Sequence, residues 1–301
     1  MAIPPLPGWE ASQQGKQDLG HIHERSNTMP NQILVGIDGS PQGEAAIGLA
    51  IRWAGEYGCR LTGLGIIDEP GMTRGEPVPI GGGAYKADLD RSRVKKSTRL
   101  VEDWLGRFSD RCNAANAIAT AVTETGDPLT VLSLEAQRHD LVLLGRQTHF
   151  RYGYEDSPDD VLTQLVRQAP RPVVAVPLEH VNGHSVVIAD DSSLQAARAV
   201  QAFQATGLGT RRPVFVVTVG TVSSNANRTL DFLAAHDILA TPKSVPVGAS
   251  VAAALAAAAR EVGAGLIVMG AYGRSTLHEF FLGSVTRTML AESPVPLFLY
   301  H

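Results

Sequence analysis

The residues best placed to do chemistry lie late in the chain. Gly270 and Gly273 stand three apart, nine residues follow Gly273 before Gly283-Ser284, and an apolar run, Leu266-Ile-Val-Met269, precedes them. A helical run begins at Val285. This order predicts a strand, a glycine loop and a helix N-terminus. Glycine lets backbone come close to a bulky anion, and the first turn of a helix offers N–H groups with no partner of their own. The loop therefore reads as a phosphate cradle, with Arg274 the nearest cation. It is neither a Gly-Lys-Ser/Thr phosphate loop nor a GxGxxG turn. A second chemical feature is the carboxylate of Asp190, which ends the apolar run Val186-Val-Ile-Ala189 and is followed by Asp191 and Ser192. No Gly-x-Ser-x-Gly elbow, paired-cysteine metal site or HExxH helix accompanies these residues. A phosphoryl-transfer enzyme would also need a positioned base and a metal-holding carboxylate, a part Asp190 and Asp191 fill only if phosphates fold back toward them.

The elements that must position these residues occur twice. Ile33-Leu-Val-Gly-Ile37-Asp38-Gly-Ser40 matches Val186 to Ser192, and each run leads into a helical pattern. In the second copy Ala196, Ala199, Val200 and Phe203 form one apolar face at helical spacing. Second strands follow at Leu61–Ile67 and Pro213–Val219; Gly126-Asp-Pro128 and Gly248-Ala-Ser250 each open a later helix. Leu141–Gly145 then matches Leu266–Gly270, and Arg171–Pro177 matches Val295–Leu299. The offset between copies falls from 152 at Asp38/Asp190 to 122 at Gly126/Gly248, so the first copy carries about 30 extra residues. They lie within 69–110, as a Gly/Pro loop (69–90 at its widest) and a charged helix from about Lys86 to Phe108. Strands alternating with helices predict βαβ units. The expected fold is α/β: two tandem doubly wound domains, 31–178 and 182–301, each a five-stranded parallel sheet with four helices. Ligands of such sheets bind beyond the carboxyl ends of the strands at the switch point, where Asp190 and Gly270 can face one crevice.

Composition narrows the class. With 301 residues, 44% hydrophobic and 19% charged, the chain is ordinary for a globular protein. A net charge of −4 favours neither nucleic acid nor an anionic membrane as a general partner. Two cysteines, Cys59 and Cys112, make no disulfide framework, and no apolar run reaches membrane-spanning length. Residues 1–30 carry Pro4, Pro5, Pro7 and a polar run without an apolar signal core, so they read as a disordered lead-in to a cytoplasmic protein.

Asp-x-Ser after strand one, Gly after strand three and Gly-x2-Gly-x9-Gly-Ser after strand four together resemble the universal stress protein family, over both halves. The resemblance implies a Rossmann-like sheet of the adenine nucleotide alpha hydrolase kind, dimers formed through the last strand, and ATP, with Mg2+, as ligand. In that reading Asp190 hydrogen-bonds the adenosine, and backbone at Val219 meets the adenine edge. Gly248 lets the nucleotide pass. Gly270, Gly273 and Gly283 line the phosphate path. Ser284, Val285 and Thr286 offer N–H groups, and Ala189, Ser192 and Met269 complete the set. Asp191 departs from the pattern, standing where the family has glycine. The first half departs further, with Arg146-Gln-Thr148 after Gly145 and Ser157-Pro-Asp-Asp160 at its third glycine. Acidic side chains oppose phosphate there, and Asp38 is left to cap a turn. The implied function is a stress-response regulator that binds ATP in its second domain and signals through conformation or a protein partner, as a homodimer or an intrachain pseudo-dimer. A slow ATPase or phosphotransferase, and a nucleotide-free interaction scaffold, are the alternatives.

Overall fold

The computed structural model describes residues 30–73, 82–150, 152, 161–220, 226–271 and 283–301. The N-terminal lead-in, part of the inserted loop, Ser157–Asp160, Gly273 and Arg274 lie outside them.

The first half runs β1 (Gln32–Ile37), α1 (Pro41–Tyr57), β2 (Arg60–Ile67), α2 (Glu69–Met72), α3 (Gly83–Ala114), β3 (Ala119–Thr125), α4 (Pro128–Ala136), β4 (Leu141–Gly145), α5 (Val161–Gln168) and β5 (Val173–Val176). The second runs β6 (Ser185–Ala189), α6 (Leu194–Thr206), β7 (Val214–Val219), α7 (Ala226–Ala234), β8 (Ala240–Val245), α8 (Val251–Glu261), β9 (Ala264–Gly270), α9 (Ser284–Glu292) and β10 (Leu297–Tyr300). Among the described residues all strands join one sheet of 10, ordered β3-β2-β1-β4-β5-β10-β9-β6-β7-β8. Every pairing is parallel except β5 with β10, where Val174 faces Phe298. Each half thus has the order 3-2-1-4-5, with its switch point between first and fourth strands. The pairing that the resemblance places between chains is made here within one.

Both faces of the sheet are covered, so the strands read as apolar runs rather than alternating ones. Ile33, Val35 and Ile37 turn toward the α1 and α3 side, and Leu34 toward the other. Leu266 and Val268 repeat this split against Ile267 and Met269. The sequence also fixes helix starts. Ser40, Asp127, Ser193 and Ser250 each accept a hydrogen bond from a first-turn N–H, the usual N-cap chemistry.

Two details differ from the sequence reading. The inserted helix is longer, because its buried stripe of Val101, Leu105, Phe108 and Cys112 continues to the end of α3. Among the described residues the first half also has a fifth helix, α2, started by Asp68 accepting from Gly71 N at 2.8 Å.

Candidate functional site

The crevice at the β6/β9 switch point holds a cavity of about 510 Å³. Ala189, Asp190 and Ser192 reach it from the end of β6, and Val219 from the end of β7. Met269 and Gly270 come from β9; Gly283, Ser284, Val285 and Thr286 come from the start of α9. The order 3-2-1-4-5 brings these together from positions far apart in the chain. Gly248 is not part of the wall. It follows β8, and a methyl group added there would meet open space.

Asp190 is 5% exposed, and its carboxylate is engaged on both oxygens. Oδ1 accepts from Ser192 N at 2.7 Å, and Oδ2 accepts from the Thr229 hydroxyl at 2.8 Å. Thr229 lies on α7 and carries no sequence signal, since nothing in its spacing from Asp190 marks the contact. Asp191 also lines the cavity and accepts from Ser193 N at 2.9 Å.

The expectation that Asp191 stands in for the family's glycine needs correction. In the first half Gly39 has φ +71° and Ser40 caps α1. In the second half Ser192 has φ +59° and Ser193 caps α6. Ser192 therefore occupies the left-handed glycine position, and Asp191, which accepts from Ser193 N as Asp38 does from Ser40 N, stands where the first half has Asp38, with Asp190 in the place of Ile37.

Gly270 has a structural reason to be glycine. A Cβ there would lie 2.5 Å from the carbonyl carbon of Gln195 and 2.6 Å from Ala196 N, where α6 begins. Gly145 meets Gln42 and Gly43 in the same way at the start of α1. The glycine ending the fourth strand is demanded by helix-to-strand approach in both halves.

At the helix start, Arg287 N donates to the Gly283 carbonyl at 2.9 Å, which opens the regular ladder of α9. The N–H groups of Ser284, Val285 and Thr286 precede that ladder, and Gly283 supplies no side-chain cap. The first turn holds no acidic residue to compete with an anion. This helix end is thus a donor-rich, electropositive wall opposite the Asp190 carboxylate.

The equivalent crevice of the first half is filled by the chain itself. Trp104 from α3 lies over Gly39, and its ring stands 5.0 Å from that of Tyr152. The Tyr152 hydroxyl donates to the Ile66 carbonyl at 2.6 Å. By strand register Ile66 corresponds to Val219 of the second half, a wall residue of the cavity. Phe150 is buried beneath. Asp38 caps the turn as expected: Oδ1 accepts from the Ser40 hydroxyl at 2.7 Å, and Oδ2 from His149 N at 3.2 Å. Burial pushes its carboxyl above the ordinary range, and the bonds from Ser40 and His149 oppose that rise.

Among the described residues no group of three His, Cys, Asp or Glu could hold a metal ion, and no helix is long and apolar enough to cross a membrane.

A doubly wound half-sheet with a strand-end carboxylate and a helix N-terminus on one cavity at its switch point defines an α/β protein of the Rossmann-like kind. The chain belongs to the universal stress protein family, whose pattern matches residues 29–177 and 184–301. Among solved structures it is similar to a universal stress protein from Archaeoglobus fulgidus, at 17% identity and TM-score 0.64, over 90% of this chain and 98% of that one. A putative universal stress protein from Pseudomonas aeruginosa aligns at 16% identity and TM-score 0.52, over 92% and 95%. One from Arabidopsis thaliana, solved with AMP bound, covers 49% of this chain and 92% of its own, at 16% identity and TM-score 0.32. No curated protein matches.

Proposed function

We propose that the chain is a stress-response regulator whose second half binds ATP in the β6/β9 crevice, and that occupancy is passed on through conformation or a protein partner. The observation that carries this reading is the contrast between the two crevices. One is a cavity with a carboxylate on one wall and, on the other, helix N–H groups that precede the α9 ladder and have no partner among the described residues. Its counterpart is closed by Trp104, Phe150 and Tyr152. A volume of about 510 Å³ suits a nucleoside phosphate. The ribose hydroxyls are donors that Asp190 can accept, in exchange for its bond from Thr229. The phosphates belong at Gly283 to Thr286, with Gly273 and Arg274, between β9 and α9 in the sequence, as further contributors. Both carboxylates near the cavity are already bonded to backbone N–H groups, so Mg2+ would be carried mainly by the phosphates.

Thermal unfolding with and without millimolar Mg-ATP tests the reading. A ligand at 100 times its Kd adds about 2.7 kcal/mol to stability. The wild type should shift upward, and Asp190→Ala should lose most of that shift. No shift in either protein, with no nucleotide found in the denatured supernatant, would remove ATP as the ligand. Phosphate release by the same preparation distinguishes binding from turnover.

A further inference from the structure

We propose that Arg146 is a positioning residue for the second half's anion cradle: by holding the C-terminal end of α9 it fixes where that helix's N-terminus enters the cavity. Arg146 belongs to the first half, directly after β4, and its own N–H donates to the Val176 carbonyl at 3.0 Å. Its guanidinium crosses to the second half. Nη1 donates to the Ala291 carbonyl at 3.3 Å, and Nη2 donates to the Ser293 carbonyl at 2.5 Å. These carbonyls belong to the last turn of α9 and its C-cap, the electronegative end of the helix. The last turn of α9 holds no basic residue of its own. The first half thus supplies the cation that the helix lacks.

α9 has 9 residues, so its two ends are one rigid piece. A clamp on Ala291 and Ser293 therefore sets the direction of the N–H groups at Ser284, Val285 and Thr286. The grip is half-buried. Burial lowers the guanidinium to about 10, so it remains charged at neutral pH, and Nε is buried with no partner among the described residues.

The device runs one way. The position after β9 that matches Arg146 is Ala271, whose methyl group has no donor to return the contact. Arg146 stands at a variable position of the Gly-x2-Gly pattern, whose second glycine is replaced by Thr148 in the first half.

The ligand side of this proposal rests on the nucleotide reading above, and the experiment separates the two. Arg146→Met keeps most of the volume without the donors; Arg146→Lys restores a single charged donor. Hydrogen exchange is measured on the unliganded full-length proteins, and Mg-ATP affinity by calorimetry on the same samples. In Arg146→Met the amides of Arg287 to Ser293 should exchange about tenfold faster, with other elements unchanged, and ATP should bind about tenfold more weakly. Arg146→Lys should recover affinity to within about threefold of wild type. Unchanged exchange in α9, uniformly faster exchange across the sheet, or faster α9 exchange with undiminished affinity would each overturn the positioning role. If the wild type binds no ATP, the nucleotide reading fails, and the exchange comparison alone decides whether Arg146 sets α9.

Discussion

Gly145 and Gly270 end the fourth strand of their halves, and the two reasons for such a glycine can be told apart. A ligand would demand it only in the second half. Close approach of α1 and α6 demands it in both, because an added Cβ would sit about 2.5 Å from backbone in each. Backbone cannot give way as a side-chain tip does. Gly145→Ala and Gly270→Ala should therefore each lose about 1–3 kcal/mol in urea unfolding, by similar amounts. A large loss for Gly270→Ala alone would show that the second site adds a constraint of its own. Asp190 shows the opposite situation. Its carboxylate is buried, yet both of its visible partners, Ser192 N and the Thr229 hydroxyl, are local or weak enough to be exchanged for a ligand's donors.

At the scale of elements, α3 explains both the length of the inserted segment and the fate of the first crevice. Its buried stripe passes over β2, where Gly63 faces Phe108 and Gly65 faces Val101, so the helix lies close to the sheet. That contact aims Trp104 at Gly39 and shuts the crevice from above. Cys112 on α3 and Cys59 before β2 lie under the same packing. Burial pushes the Cys59 thiol up from 9.0 to about 11, so between these values the folded protein holds a proton that the unfolded chain releases. Stability must then fall as pH rises through that window, by on the order of 2 kcal/mol from this thiol. Cys59→Ala should flatten the alkaline limb of the stability profile, and native protein at pH 8 should leave both thiols unmodified by a thiol reagent until it unfolds. Much of this architecture was legible in the sequence. The doubled apolar runs ending in Asp38 and Asp190, and in Gly145 and Gly270, gave the strands that build the switch points. The Gly-Ser before Val285 marked the helix start. Trp104 against Tyr152, Thr229 against Asp190 and Arg146 against α9 were not legible. Each joins residues on separate elements whose spacing has no period, so only the fold brings them into contact.

Across the whole molecule, the two halves share one interior. Phe298 of β10 packs edge-on against Phe203, and both belong to the same buried cluster as Val174 and Val176 of β5. Around them Tyr57 donates to the Leu208 carbonyl at 3.2 Å, and Arg212 lies 5.8 Å and 5.5 Å from the rings of Trp53 and Tyr57. Splitting the halves would expose this interior together with two open strand edges. The full chain should therefore unfold in one cooperative transition, with calorimetric and van't Hoff enthalpies in agreement, and two resolved transitions would contradict the shared core. The antiparallel β5–β10 pairing has a further meaning for supply and dilution. Two separate chains meeting at such a seam come apart as they become scarce, and their sensitivity to a ligand then drifts with abundance. Here both partners are translated as one molecule, so the effective concentration of each at the other is fixed by the tether. The seam forms equally well in a cell holding a few copies or many. One half is then free to lose its own crevice, because it is never without the partner it serves.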